Sequence, residues 1–221
     1  MGLEILTPHQ RACLDAIRDT RAITDHFVLS SGTALAAFHY NHRDSEDLDF
    51  FSEVEVPITG VVAFFRSVRG ALAYDALDIQ TSFNRNLVFI RYADGSVLKT
   101  EFTYYPFTPL VSGERYGSLR VESARDLAAN KLFTISQNPR ARDFIDLYLL
   151  ITREGFTFDG LRADVRLKFD LHLDPLQLGT QFLKARDIAD LPRMRIELPE
   201  ATWRGYFVDA AKGLGSDILA A

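Results

Sequence analysis

Residues 31–51 read SGTALAAFHYNHRDSEDLDFF. A short apolar stretch, His26 to Ser30, precedes them, and helix-prone residues from Gly32 to His39 follow the Ser-Gly-Thr directly. The order is strand, glycine turn, helix. A second short strand, Asp47 to Phe51, is predicted by its apolar–polar alternation. In a strand, residues i and i+2 share a face. Asp47 and Asp49 therefore project together, with Leu48 and Phe50 on the opposite, core-facing side. Two carboxylates held that close repel each other unless a cation lies between them or one takes a proton. Hard divalent cations favour such oxygen ligands, and Mg²⁺ takes one or two carboxylates together with substrate phosphates.

The glycine turn points the same way. Ser31-Gly32-Thr33 leaves a strand and opens a helix, where backbone N–H groups and the helix dipole receive a phosphate. Gly32 allows close backbone approach, and the Thr33 hydroxyl can donate to a phosphate oxygen. Leu98-Lys99-Thr100-Glu101-Phe102 adds a third acid, Glu101, which completes a three-carboxylate site if its strand lies beside the first pair. Taken singly, each feature has a plainer explanation: a solvated acid pair, a helix cap, an outward charge on a strand. A phosphate cradle followed by a metal-binding acid pair is more specific than either part.

The 221 residues suffice for one core, or for a core with a smaller attached domain. A composition of 47% hydrophobic and 25% charged residues is that of an ordinary globular protein. No apolar run approaches the roughly 20 residues that cross a bilayer, and MGLEILTPHQR lacks the form of a signal peptide. Cys13 is the single cysteine, which excludes an intrachain disulfide and a thiolate metal cluster. A cytoplasmic location is expected. The net charge of −5 excludes coating of nucleic acid by bulk charge and leaves binding through a local patch.

Along the chain, Thr7-Pro8 caps a helix expected to reach about Ile23. An amphipathic helix is predicted over 58–71, with Phe64, Phe65 and Val68 in its core stripe. A β-rich block over 76–104 follows, with Asp94-Gly95 as a two-residue hairpin signal. From Ser123 the pattern is helical: one helix to Asn138-Pro139, a second to Gly155, then segments near 161–169, 175–185 and 201–214. The expected fold is α+β. An α/β domain with a mixed sheet occupies residues 1–120, and a helical C-terminal domain occupies residues 121–221.

Together these residues resemble the DNA polymerase β-like nucleotidyltransferase superfamily, and within it the AbiEii/AbiGii toxins of type IV toxin–antitoxin and abortive-infection systems. That branch reads Gly-Gly-Thr-Ala-Leu, a short helix, then His-Arg-x-Ser-x-Asp-Leu-Asp-Phe-Phe. Gly32-Thr33-Ala34-Leu35 and His42-Arg43-Asp44-Ser45-Glu46-Asp47-Leu48-Asp49-Phe50-Phe51 match it. Lys131 and Arg142-Asp143-Phe144-Ile145-Asp146-Leu147 are similar to the family's later element. The likeness spans about residues 28–150. Two positions depart from it: Ser31 replaces the first glycine, and Glu101 stands where aspartate is usual. Serine tolerates positive φ poorly, so the turn is expected to differ slightly.

The resemblance implies a Mg²⁺-dependent transfer of a nucleotidyl group from a nucleoside triphosphate to an acceptor hydroxyl. Asp47, Asp49 and Glu101 would hold two Mg²⁺ ions, with Glu101 also placed to take the proton of the attacking hydroxyl. Ser31, Gly32, Thr33, Lys131 and Asp143 would contact the nucleotide. Asp143 orients Lys131 or touches the nucleotide, whereas Asp146 reads as structural, pairing with Arg142. Arg43 either contacts phosphate or caps its loop. His39 and His42 read as packing and surface residues, and Trp203 and Tyr206 as docking residues of the last helix. Arg162, Arg166 and Lys168, with Arg193 and Arg195, read as solvated helix faces rather than a tRNA guide. Expected partners are the triphosphate, a tRNA or protein acceptor and a cognate antitoxin, with no membrane. The alternatives are a catalytically weak binding module of the same fold, or a glycosyltransferase binding a nucleotide sugar through Asp47-Leu48-Asp49 on a mainly parallel sheet.

Overall fold

The computed structural model describes residues 3–220, which form two compact units. The first runs to Thr108 and takes in Ser112–Ser123; the second comprises Pro109–Val111 and the residues from Ala124 onward.

The first unit begins with α1 (Pro8–Ile17). Thr7 caps it, accepting from the Gln10 backbone N–H, while the Gln10 side chain accepts from the Thr7 N–H. The helix stops at Ile17 instead of running on to Ile23, and α2 (Arg21–Thr24) is a separate turn. Strand β1 (Val28–Ser30) leads into α3 (Ser31–Ala34), which widens into π-type turns over Leu35–Tyr40. Asn41, at φ 52° in the left-handed region, ends it. Such widened turns recur at functional sites. Next come β2 (Leu48–Ser52), α4 (Ile58–Ser67), α5 (Arg69–Leu72), β3 (Ala76–Ser82), β4 (Arg85–Arg91) and β5 (Val97–Tyr104). The hairpin between β4 and β5 turns at Asp94-Gly95, with Gly95 at φ 81°. A second hairpin, β6 (Arg115–Tyr116) and β7 (Leu119–Val121), was not expected from the sequence, because strands of two and three residues are too short to show a period.

These seven strands form one mixed sheet in the order β3-β4-β5-β2-β1-β7-β6. The β2–β5 and β1–β7 pairs are parallel and the others antiparallel. Its core face carries Leu29, Leu48, Phe50, Val88, Ile90 and Phe102, all buried, as are Val61, Phe64 and Phe65 of α4. The Phe50 and Phe102 rings stack 4.9 Å apart, and Phe65 meets Phe102 edge-on at 6.0 Å. Each such ring contributes on the order of 1.5–3 kcal/mol by leaving water. This packing fixes which way β2 faces, and so which way its acids point.

The second unit is helical: α6 (Ala124–Gln137), α7 (Ala141–Glu154), α8 (Phe158–Phe169), α9 (Pro175–Leu183) and α10 (Glu200–Ala220). Trp203 and Phe207 of α10 are buried against Phe144 of α7, which is the docking role expected of Trp203. Lys168 does not lie on a solvated helix face. It is buried, with Nζ 2.8 Å from Asp126. Asp126 in turn accepts from the Leu110 and Val111 amides at 2.9 and 3.2 Å. Among the described residues, no helix is long and apolar enough to cross a membrane.

Candidate functional site

The register of β2 decides where the acids go. Leu48 and Phe50 are buried on the core face, so Asp47 and Asp49 project from the other. Asp49 is the cross-strand partner of Glu101 on β5, and of Ser30 on β1. Cross-strand partners share a face. Asp47, Asp49 and Glu101, up to 54 residues apart in sequence, therefore lie on one face of the sheet.

Two cations stand among them that the sequence reading did not assign. Lys99, one pleat before Glu101, places Nζ 2.6 Å from Asp47 Oδ2. Arg85 of β4 grips Glu101 with two parallel bonds, Nε to Oε1 at 2.8 Å and Nη2 to Oε2 at 2.6 Å. Thr103 also donates to Glu101 Oε1, at 2.7 Å. Burial pushes the Glu101 carboxyl up. The Arg85 and Thr103 hydrogen bonds and the Arg85 and Lys99 charges outweigh it and hold the group below the usual glutamate range. The hydrogen bond to Glu101 raises the Arg85 guanidinium against its own desolvation, and the charges of Glu101 and Asp49 add to that.

These contacts test the expected metal site. Asp47 and Asp49 offer the two carboxylates that a Mg²⁺–phosphate complex uses, and the Lys99 ammonium already holds a positive charge against Asp47. The acid pair fits the ion. Glu101, expected as a third ligand, has both oxygens in the Arg85 fork. Among the described residues, no group of three His, Cys, Asp or Glu side chains is arranged to hold a metal ion.

The turn starts in the left-handed region, with Ser31 at φ 60°. The Gly32 requirement has a local cause. A Cβ there would come within 2.6 Å of Arg43 Nη2 and 3.1 Å of Ser45 Oγ. Arg43 is buried beneath the turn, with Nη1 donating to the Asp44 carbonyl at 2.9 Å. Thr33 is also buried; its hydroxyl donates to the Asp47 carbonyl and can accept from the Ser45 hydroxyl, whose Oγ is 2.8 Å away. The sequence reading sent that hydroxyl to a phosphate. Here it ties the turn to the residue that starts the acid pair. Buried Gln10 reaches the same loop from α1, its Nε2 donating to the Ser45 and Glu46 carbonyls at 2.7 and 3.0 Å. A glutamine three residues after a capping threonine signals a capping box; nothing in the sequence says that the same side chain also braces the loop before Asp47.

In the second unit, Lys131 is buried between two carboxylates, 2.8 Å from Asp143 and 2.7 Å from Asp146. Asp143 also accepts from the Arg140 N–H at 3.1 Å, capping α7. The sequence reading set Asp143 beside Lys131, and the two are paired here. Asp146, expected to pair with Arg142, instead faces Lys131.

Comparison with known proteins gives a consistent picture. Residues 13–219 match the family model described as Nucleotidyl transferase AbiEii toxin, Type IV TA system. An uncharacterised protein of Aquifex aeolicus is 29% identical over 167 residues, 74% of this chain and 76% of that protein. The fold is similar to that of JHP933 from Helicobacter pylori, with a TM-score of 0.59 and 19% identity over 96% of this chain and 92% of that one. It is similar also to MenT4, a nucleotidyltransferase toxin of Mycobacterium tuberculosis, with a TM-score of 0.58 and 17% identity over 94% and 84%.

Proposed function

The chain belongs to the AbiEii nucleotidyltransferase toxin family, and from that premise we propose that it transfers a nucleotidyl group from a nucleoside triphosphate to an acceptor hydroxyl, with pyrophosphate leaving. The observation that carries this reading is the register: Asp47 and Asp49 share a face with their neighbour Glu101, at the end of the loop that the glycine turn braces.

Asp47 and Asp49 would hold Mg²⁺, which when bound neutralises charge on the phosphate oxygens and the leaving pyrophosphate. Thr33, Ser45 and Gln10 position the pair by fixing the backbone that leads into it. The backbone at Ser31 and Gly32 opens a helix and can receive phosphate oxygens. Lys99 balances Asp47 when no other cation is present and is placed to contact an incoming triphosphate. Glu101 and Arg85 form a locked pair that holds negative and positive charge next to Asp49. The family resemblance also assigns two Mg²⁺ ions, with Glu101 as a further ligand and proton acceptor; this requires Arg85 to release it. The resemblance likewise carries the assignment of Lys131 and Asp143 to the nucleotide, and that of a cognate antitoxin and a cytoplasmic setting.

The test is incubation of the protein with each α-labelled NTP, Mg²⁺ and total RNA or protein. Label should enter one fraction, and Asp47→Asn and Asp49→Asn should each lower the rate by at least about 10²-fold with unchanged circular dichroism. Full activity in Asp49→Asn overturns the assignment. Mass spectrometry of cellular RNA and protein after induction then names donor and acceptor by a one-nucleotide increment on a tRNA end, a protein hydroxyl or a small molecule.

One observation favours a second reading. The Arg85 fork on Glu101 is the arrangement of a binding module whose third acid has become structural. Tight Mg²⁺–NTP binding with no transfer to any acceptor distinguishes it. The glycosyltransferase alternative required a mainly parallel sheet, which the antiparallel β3-β4-β5 meander does not provide.

A further inference from the structure

Arg115 and Arg120 face each other as cross-strand partners in the β6–β7 hairpin. Like charges in that position destabilise a strand pair. Among the described residues neither arginine has a carboxylate partner. Arg115 Nη1 donates to the Ser118 carbonyl at 3.1 Å, and Arg120 Nη2 to the His26 carbonyl at 3.4 Å. With Arg21, Thr24, Asp25 and Ser118 they line a groove of about 470 Å³. Three arginines against one aspartate leave two positive charges there, in a protein whose net charge is −5. The one acid is already engaged, Arg21 Nε lying 3.3 Å from Asp25. Thr24 is 6% exposed, and its hydroxyl has no hydrogen-bond partner. A buried hydroxyl without a partner costs free energy until something bonds to it. Two guanidinium groups and a hydroxyl without a partner thus line one groove.

The register also says where this groove lies. Arg120 pairs with Val28, and Val28 with Phe51, two residues along β2 from Asp49. Both arginines therefore emerge on the acid-bearing face, Arg120 two strands from β2 and Arg115 three, on the order of 10 and 14 Å away at about 4.8 Å per strand.

We propose that the groove binds a phosphate group, with Arg115 and Arg120 as charged fork donors and the Thr24 hydroxyl as a neutral one. Guanidinium groups match phosphate oxygens bidentately, and two of them facing across a hairpin grip one phosphate or two successive ones on a chain. The site is separate from the acid pair and does not depend on the transfer reading.

The test omits NTP and Mg²⁺, so that the acid pair plays no part. A fluorescently labelled single-stranded RNA oligonucleotide is titrated by anisotropy, and inorganic phosphate by calorimetry. The double variant Arg115→Ala/Arg120→Ala should weaken binding at least tenfold and lower the slope of log affinity against log salt by about 1.4, at roughly 0.7 per phosphate contact on a single strand. Thr24→Val should weaken it severalfold with the slope unchanged. The charge-matched control Arg66→Ala/Arg186→Ala should do neither. Arginine-dependent binding of inorganic phosphate identifies a free phosphate as ligand. Arginine-dependent binding of the oligonucleotide alone identifies a phosphodiester chain. If neither probe binds, or if the double variant and the control behave alike, the proposal fails.

Discussion

Ser31 holds a left-handed φ of 60° at a position where the family resemblance has glycine. For an L residue with a Cβ that conformation is disfavoured by roughly 1–2 kcal/mol, whereas glycine adopts it freely but orders more entropy on folding. Ser31→Gly should therefore raise stability by about 0.5–1 kcal/mol in urea unfolding. The sequence named the right residue and the right conflict. In this chain the serine takes the left-handed conformation itself. Gly32 was legible as a close-approach glycine, but what approaches it within this chain is the Arg43 guanidinium, which no local spacing announces. Glu101 illustrates the same limit. Its position on an alternating strand gave its face, yet its partners lie on two strands and its charge state follows from them. Because its folded pKa lies below the unfolded value near 4.5, it contributes stability that is present above that value and lost as pH falls through the folded one. Glu101→Gln should remove this part of the acid-side loss, so the variant's stability should fall less steeply than that of the parent below about pH 4.5.

At the scale of elements, patterns that complete themselves within ten or so residues were readable. The Thr7-Pro8 helix start, the Asp-Leu-Asp-Phe-Phe strand, the Asp94-Gly95 hairpin and the Gly155 stop of α7 all form as their residues dictate. Pairings across elements were not. Lys99 meets Asp47 at a separation of 52 residues, and Asp146 turns to Lys131 on the neighbouring helix. The β6–β7 hairpin, which positions two unpaired arginines, escaped for want of length. Lys131 pairs with both Asp143 and Asp146 in a buried setting. Removing the ammonium takes that partner from two buried carboxylates. Lys131→Met should cost about 3–5 kcal/mol of stability, read as a shifted urea midpoint, and any activity loss in that variant must be corrected for the unfolded fraction.

For the whole molecule, the mixed sheet of the first unit and the helical second unit agree with the expected α+β class. The sequence could supply the class because the residues that build the acid-bearing sheet alternate cleanly between Leu48, Phe50 and Phe102 on one side and Asp49 and Glu101 on the other. It could not supply the network of cations that holds those acids in place. The account as a whole rests on Asp47 and Asp49 gripping a metal–triphosphate complex on that face. Binding of Mn²⁺–NTP, followed by the electron paramagnetic resonance signal of free Mn²⁺ for each of the four nucleotides, tests this without relying on turnover. The account predicts that at least one Mn²⁺–NTP complex binds the parent protein and binds Asp49→Asn at least about tenfold more weakly; equal binding by a folded Asp49→Asn would contradict it.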